Sequence, residues 1–323
     1  MFWQKKEKKE PESRNKVFSV IKISAEAVSE ANYDILNLNG GVSLVMAFVP
    51  PCEKFSSIVT QLEKHLSFAK NRLVIQTAGI LGASDSDGDF YNLNHQNFIV
   101  IQSFGTRFVA AVESFKVDML CDDIMSGAIH LSMNERKHKL TKNIETAVKP
   151  QMHVDPLNTY ILCYFPGLTA SESFFVESFV KSRTPLTNLV GGSAGGGLDF
   201  KEANLALNGE ITNNKAILIY CKLAQGYSYG IFTTHNFNKA GVSFEIGECS
   251  VDKRIVKSFL IGKKLITPVD ALCDHFNCKK DALLNQLQGY SFAIEIGGRL
   301  FIRSISSINE DNSIGFFCDL YFG

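Results

Sequence analysis

The sequence predicts an α/β fold of mixed α+β character: duplicated strand–helix–strand–hairpin units forming stacked mixed sheets with helices on the outside. Three observations predict it. Apolar runs such as VSLVMAFV (42–49) and AILIYC (216–221) are hydrophobic on both faces, as strands covered on both sides are. Two such runs each lead into a stretch with helical spacing and then into another apolar run, and a helix crossover favours parallel neighbours. The order of elements from about 42 to 115 recurs from about 159 to 235, which points to an internal duplication.

The elements follow in order. Residues 1–17, including MFWQKKEKKEPESRNK, are charged and read as a solvated tail; no apolar stretch follows the basic residues, so they form no signal peptide. In the first copy, VSLVMAFV is a strand stopped by Pro50-Pro51. Phe55, Ile58, Val59, Leu62 and Leu66 then recur at helical spacing. LVIQTAG (73–79) is a second strand, and a polar loop spans 82–89. NFIVIQSF and RFVAAVESF read as a hairpin around Gly105-Thr106. In the second copy, TYILCYF (159–165) is a strand ended by Pro166-Gly167. SESFFVESFV (171–180) is a helix with Ser171 as N-cap, and LTNLVGGSAGGGLDF (186–200) is a strand entering a glycine-rich loop. KAILIYCKL and YSYGIFTTH read as a second hairpin around 224–226. Thr77-Ala78-Gly79 matches Ser193-Ala194-Gly195, and Asp89-Phe90 matches Asp199-Phe200. Between the copies, 126–150 reads as a solvated connecting helix. Beyond them, VKSFLIG is strand-like, ITPVDALCDHF and KKDALLNQL are short helices, and SFAIEIGGRLFIRSISSI is a hairpin turning at Gly297-Gly298. The implied division is a tail (1–17), a duplicated region (18–245) and a last region (246–323).

Charge and cysteine usage narrow the function classes. The chain has 323 residues, and its 33 Lys+Arg balance its 33 Asp+Glu, so it has no global field to gather nucleic acid or an anionic membrane. The eight cysteines are scattered, several inside apolar runs, which fits buried free thiols in a reducing compartment. The apolar run at 42–49 is too short to span a bilayer. The expectation is a cytoplasmic protein.

Several blocks taken together resemble the FIST family. They are LVIQTAGILGA, then LVGGSAGGGLDF with LNGEITNNKAILIYCKL, then VKSFLIGKKLITPVDAL, and GGRLFIRSISSINEDNSIGF. The resemblance covers roughly 42–323. It implies a sensory domain of bacterial signal-transduction proteins, such as those of chemotaxis. Such a domain would be non-catalytic and would bind a small ligand, an amino acid for example. It would act through a fused or partner output module such as a chemoreceptor, kinase or cyclase. One branch of the family binds haem and senses nitric oxide, so haem is an alternative cofactor. The family's C-terminal half runs on through another strand–helix–strand block, so the chain resembles a truncated member or a fragment. A protein-interaction adaptor is the alternative reading of the same fold.

The candidate ligand-binding residues are Thr77, Ala78 and Gly79, their counterparts Gly191, Gly192, Ser193, Ala194 and Gly195, and Arg303. Small residues let backbone N–H groups line a pocket and approach a carboxylate; close packing of strand ends uses the same residues. Gly191 to Gly195 also fits G-x-S-x-G, but no helical period follows it, as a nucleophile elbow requires; Asp199, His235 and His275 would have to complete a triad. Arg303 interrupts an apolar strand and could clamp a carboxylate, or sit on the exposed face of its hairpin with Phe301. Asp85 to Asp89 departs from a calcium loop at Phe90 and Gln96 and reads as an exposed turn. Cys273, His275 and Cys278 lack a fourth zinc ligand and read as helix packing. A haem ligand would come from His65, His95, His130, His138, His153, His235 or His275, among which the sequence does not choose.

Overall fold

The computed structural model of the chain describes residues 16–52, 54–80, 97–196, 203–251 and 253–320. They form two compact units, Met1–Ile231 and Phe232–Gly323.

The first unit begins with β1 (Phe18–Ser24), β2 (Val42–Val49), α1 (Phe55–His65), β3 (Ala69–Gln76) and β4 (Phe98–Gly105). It continues with β5 (Val109–Asp118), α2 (Asp122–Met125), α3 (Met133–Ala147), β6 (Thr159–Phe165) and α4 (Glu172–Lys181). β7 (Leu189–Ser193), β8 (Leu205–Leu207), β9 (Glu210–Thr212) and β10 (Lys215–Leu223) complete it. The strands make two mixed sheets, ordered β1-β4-β2-β3-β8-β9 and β5-β10-β6-β7. The duplication is visible in the pairing. β4 is antiparallel to β1 and β2, and β2 is parallel to β3 across the α1 crossover. Likewise β10 is antiparallel to β5 and β6, and β6 is parallel to β7 across α4.

Period-2 alternation sorts the strand residues into layers. Val45, Ala47 and Val49 of β2, with Ile99 and Ile101 of β4, pack under Phe55, Ile58, Val59 and Leu62 of α1. Ile161, Cys163 and Phe165 of β6, with Leu218 and Tyr220 of β10, pack under Leu140 and Ile144 of α3 and Phe175 and Phe179 of α4. The alternate residues face inward: Leu44, Met46, Leu73, Ile75, Leu205 and Leu207 from one sheet meet Ile217, Ile219 and Cys221 from the other. The result is the layered helix–sheet–sheet–helix arrangement the sequence predicts.

Three details differ from the sequence reading. β4 and β5 follow one another through the 105–108 turn but enter different sheets, so they form no hairpin. The repeated unit therefore starts one strand earlier, at β1 and at β5, and closes with β4 and with β10. The stretch 227–235 is not a strand, and Phe232 is 86% exposed. Finally, α3 is not a solvated connector: it carries a capping box at Ser132 and Glu135, and with α4 it roofs the second sheet. Ser171 is the N-cap of α4 as expected, but its side chain makes no capping hydrogen bond. The polar loop at 82–89, with Asp85 to Asp89, and the Asp89-Phe90 and Asp199-Phe200 matches lie outside the described residues.

The second unit holds β11 (Glu245–Ile246), β12 (Cys249–Ser250), β13 (Ile255–Val256), β14 (Phe259–Ile261) and β15 (Lys264–Ile266). It continues with α5 (Pro268–Phe276), α6 (Lys280–Leu287), β16 (Phe292–Ile296), β17 (Arg299–Arg303), β18 (Ile305–Ile308) and β19 (Ile314–Phe316). Thr267 caps α5 by accepting from the Asp270 N–H at 3.3 Å, with Pro268 in the first turn. The β16–β17 hairpin turns at Gly297 and Gly298, both at positive φ (57° and 78°), which a tight two-residue turn of this hand demands. Val256, Phe259, Val269, Leu272, Leu283 and Ile314 form the core.

The first unit buries an ion pair. Arg136 of α3 and Asp123 of α2 are both 2% exposed, and the guanidinium Nη2 lies 2.6 Å from the Asp123 Oδ2. The other guanidinium nitrogen donates to the Leu120 carbonyl, and the N–H groups of His130 and Leu131 donate to the same Asp123 carboxylate at 3.2 and 3.4 Å. The Arg136 guanidinium holds that carboxyl well below the usual carboxylate range, with the two N–H groups assisting against the cost of burial. Removing one partner leaves a buried charge uncompensated, so Asp123→Asn should cost about 3–5 kcal/mol in a denaturant titration. Because the folded carboxyl is depressed, its contribution is complete above about pH 4, where the unfolded group ionises, and fades as pH falls below that. The wild-type chain should lose stability below about pH 4 more steeply than Asp123→Asn, measured by melting at stepped pH.

Candidate functional site

The two bends singled out in the sequence come together. Each follows a strand that runs parallel to the strand before its crossover. The Thr77 N–H donates to the Val49 carbonyl at 2.8 Å, and the Ala194 N–H donates to the Phe165 carbonyl at 2.7 Å. Val49 pairs with Gln76 as Phe165 pairs with Ser193, so Gln76 is the structural counterpart of Ser193 and Thr77 that of Ala194. The correspondence is thus shifted by one residue from the match of Thr77 with Ser193. The bends then touch: the Gly195 N–H donates to the Gln76 carbonyl at 2.9 Å.

The glycines divide into two kinds. A Cβ at Gly195 would lie 2.3 Å from the Ala78 nitrogen and 2.8 Å from its Cβ. A Cβ at Gly191 would meet the Cys163 carbonyl oxygen at 1.7 Å. These two are glycine because another backbone occupies the space. Among the described residues, a Cβ at Gly79 or Gly192 would meet nothing within 4 Å. Both are exposed, as are Ala78 and Ser193, while Ala194 is buried and Thr77 half-buried. Gly192 pairs with Tyr164 of β6, so the half-buried Tyr164 ring stands beside a place with no side chain in it. Burial raises the Tyr164 hydroxyl above its usual range, keeping it a neutral hydrogen-bonding group. Among the described residues, the N–H groups of Ala78 and Gly79 carry no hydrogen bond. The arrangement sets exposed small residues on both bends, with two unbonded N–H groups on the first and Tyr164 beside the second.

Gln76 was not singled out by the sequence, yet it ties the junction. It is 3% exposed; its N–H donates to the Asn204 carbonyl at 3.1 Å and its side-chain Oε1 accepts from the Asn204 N–H at 3.0 Å. A polar residue ending an apolar strand, directly before a small-residue bend, was the available signal. The Ser193 hydroxyl lies 3.3 Å from the Glu172 carboxylate at the start of α4. No described helix follows Ser193 directly, and no histidine bonds it among the described residues.

Arg303 lies in the second unit. Its Nε donates to the Asp319 carbonyl at 2.6 Å and its Nη1 to the Ile302 carbonyl at 3.0 Å, so the guanidinium fastens β17 to the following chain. Cys273 and Cys278 are half-buried and His275 is exposed against Phe244 and Phe276; no group of three metal-ligating residues occurs among the described residues. A haem needs an apolar slot around its axial ligand. His130, His138, His153, His235 and His275 are exposed and His65 is stacked on Tyr33 at 4.8 Å, so the described histidines do not fit it; His95 lies outside the described residues.

A family model described as FIST N domain matches residues 43–259. The chain belongs to the FIST family. Its FIST N domain is thus a member of a sensory-domain family of signal-transduction proteins. The matched span covers both bends and ends before Arg303. No match to the chain was found among curated proteins. No helix among the described residues is long and apolar enough to cross a membrane.

The two kinds of glycine give a direct test. Gly195→Ala should lower stability by about 1–3 kcal/mol, because the Ala78 backbone must move. Gly79→Ala and Gly192→Ala should stay within about 0.5 kcal/mol of the wild type in the same denaturant titration.

Proposed function

We propose that this FIST domain is a cytoplasmic, non-catalytic sensor whose small-molecule ligand seats on the bends at Ala78, Gly79, Gly192 and Ser193. One observation carries the reading. The bends of the two copies meet through the Gly195–Gln76 hydrogen bond, yet no other described residue crowds Gly79 or Gly192 on the same bends. A ligand carboxylate, such as that of an amino acid, suits backbone N–H donors, and Tyr164 offers an apolar face with a neutral hydroxyl. A ligand held by both bends would bear on both sheets at once. Its preference for one packing of the copies over another would bias an attached or partner output module, as in chemosensory signalling.

A thermal-shift screen against amino acids and small carboxylates tests the reading. A hit should raise the melting temperature in proportion to the logarithm of ligand concentration above its Kd. Gly192→Val should remove that shift while leaving the ligand-free melting temperature near the wild-type value. No stabilising compound, together with a stable complex with a protein partner that survives Gly192→Val, would replace the sensor with an adaptor.

A further inference from the structure

We propose that Cys273 and Cys278 form a peroxide-oxidisable pair that closes into a disulfide across the C-terminus of α5. The backbone sets the pair up. α5 ends at Phe276, and Asn277 turns the chain into the left-handed region at φ 49°, ψ 48°. The Cys278 N–H then donates to the Cys273 carbonyl at 3.0 Å, and the Asn277 N–H to that of Asp274 at 3.3 Å. This helix stop brings the two residues that bracket it side by side, a position usually filled by an apolar contact. Here both are cysteines, set side by side by that closure. Bridging needs Cα atoms closer than about 7 Å and facing Cβ atoms, which a 6→1 closure supplies.

The surroundings distinguish this pair from the other thiols. Cys121, Cys163 and Cys221 are fully buried, and burial pushes the Cys221 thiol up to about 12, far from the reactive thiolate form. Cys273 and Cys278 are half-buried at the edge of the second unit's core, beside Phe276 and Leu287. Cys278, which lies past the helix end, is the attacking group of the proposed step, and Cys273, held on the last turn of α5, resolves it.

The oxidant is a hydroperoxide. The Cys278 thiolate attacks its outer oxygen, the O–O bond breaks, and the alcohol or water leaves with a proton, giving a sulfenic acid. The Cys273 sulfur then attacks the Cys278 sulfur; the S–S bond forms, and the hydroxyl departs as water with the Cys273 proton. Two thiols are oxidised and one hydroperoxide is reduced. The ring encloses only residues 274–277 and locks the turn that leads into α6.

The test treats the reduced full chain with hydrogen peroxide, blocks free thiols with iodoacetamide, and maps the digest by mass spectrometry without reductant. The peptide spanning 273–278 should lose about 2 Da, two hydrogens, and escape alkylation until a reductant is added. Cys249→Ser should behave as the wild type, and Cys278→Ser should leave Cys273 fully alkylated. Two results would overturn the proposal: both thiols still alkylated under conditions that oxidise Cys318, or Cys278 ending as a sulfinic acid or bridged to another cysteine. Both are read on the wild-type chain, so neither requires a variant to fold.

Discussion

The first unit depends on backbone meeting backbone at one junction. Gln76, at the end of β3, accepts from Gly195 of the second copy, and its main and side chains both bond Asn204 at the start of β8. β8 then pairs with β3, so a hairpin from the second copy finishes the first copy's sheet. Each of these bonds satisfies a buried peptide group that would otherwise stay costly. β8 also covers the edge of β3 at Leu73 to Ile75, its apolar stretch. None of this geometry tolerates a side chain at 195. A single absent Cβ therefore couples the two copies more directly than the apolar layer between them, which would accept many substitutions of similar volume.

What was legible in the sequence follows from what is local. The apolar runs at 42–49, 159–165 and 215–223 and the helical spacing of Phe55, Ile58, Val59 and Leu62 each report one element's burial, and all hold in the structure. Partner choice is not local. Gly105-Thr106 has the composition of a hairpin turn, and the turn exists, with the Phe108 N–H on the Gly105 carbonyl. Yet β5 gains more by pairing with β10 than by folding back on β4, because Val109 and Val117 are then buried between layers. Arg136 was illegible for another reason. It sits in a stretch of charged residues, and nothing in NERKHK marks the one cation that turns inward to meet Asp123.

The candidate site shows the same limit at finer scale. A run of glycines reports that side chains are absent, not why. At 191 and 195 the reason is another backbone, and at 79 and 192 no described residue would meet a Cβ. Position in the register separates the two cases. In β7 the residues alternate between faces, so Gly191 and Gly192 cannot serve the same neighbour. Gly191 abuts the Cys163 backbone, whereas Gly192 is set beside Tyr164.

That alternation bears on how a bound molecule would be felt. A ligand against Gly192 and Gly79 would press on chain segments whose next residues are already fixed: Ala194 by Phe165, Gly195 by Gln76. These segments have little freedom to yield independently, since interiors packed this closely shift between discrete arrangements rather than deforming smoothly. Movement at one bend must either break the Gly195–Gln76 bond or carry the other bend with it. The second course costs less, because it keeps every buried peptide group paired. The joined ends of β3 and β7 thus behave as one body, and displacement there reaches both sheets and, through them, α1 and α4 on opposite outer faces.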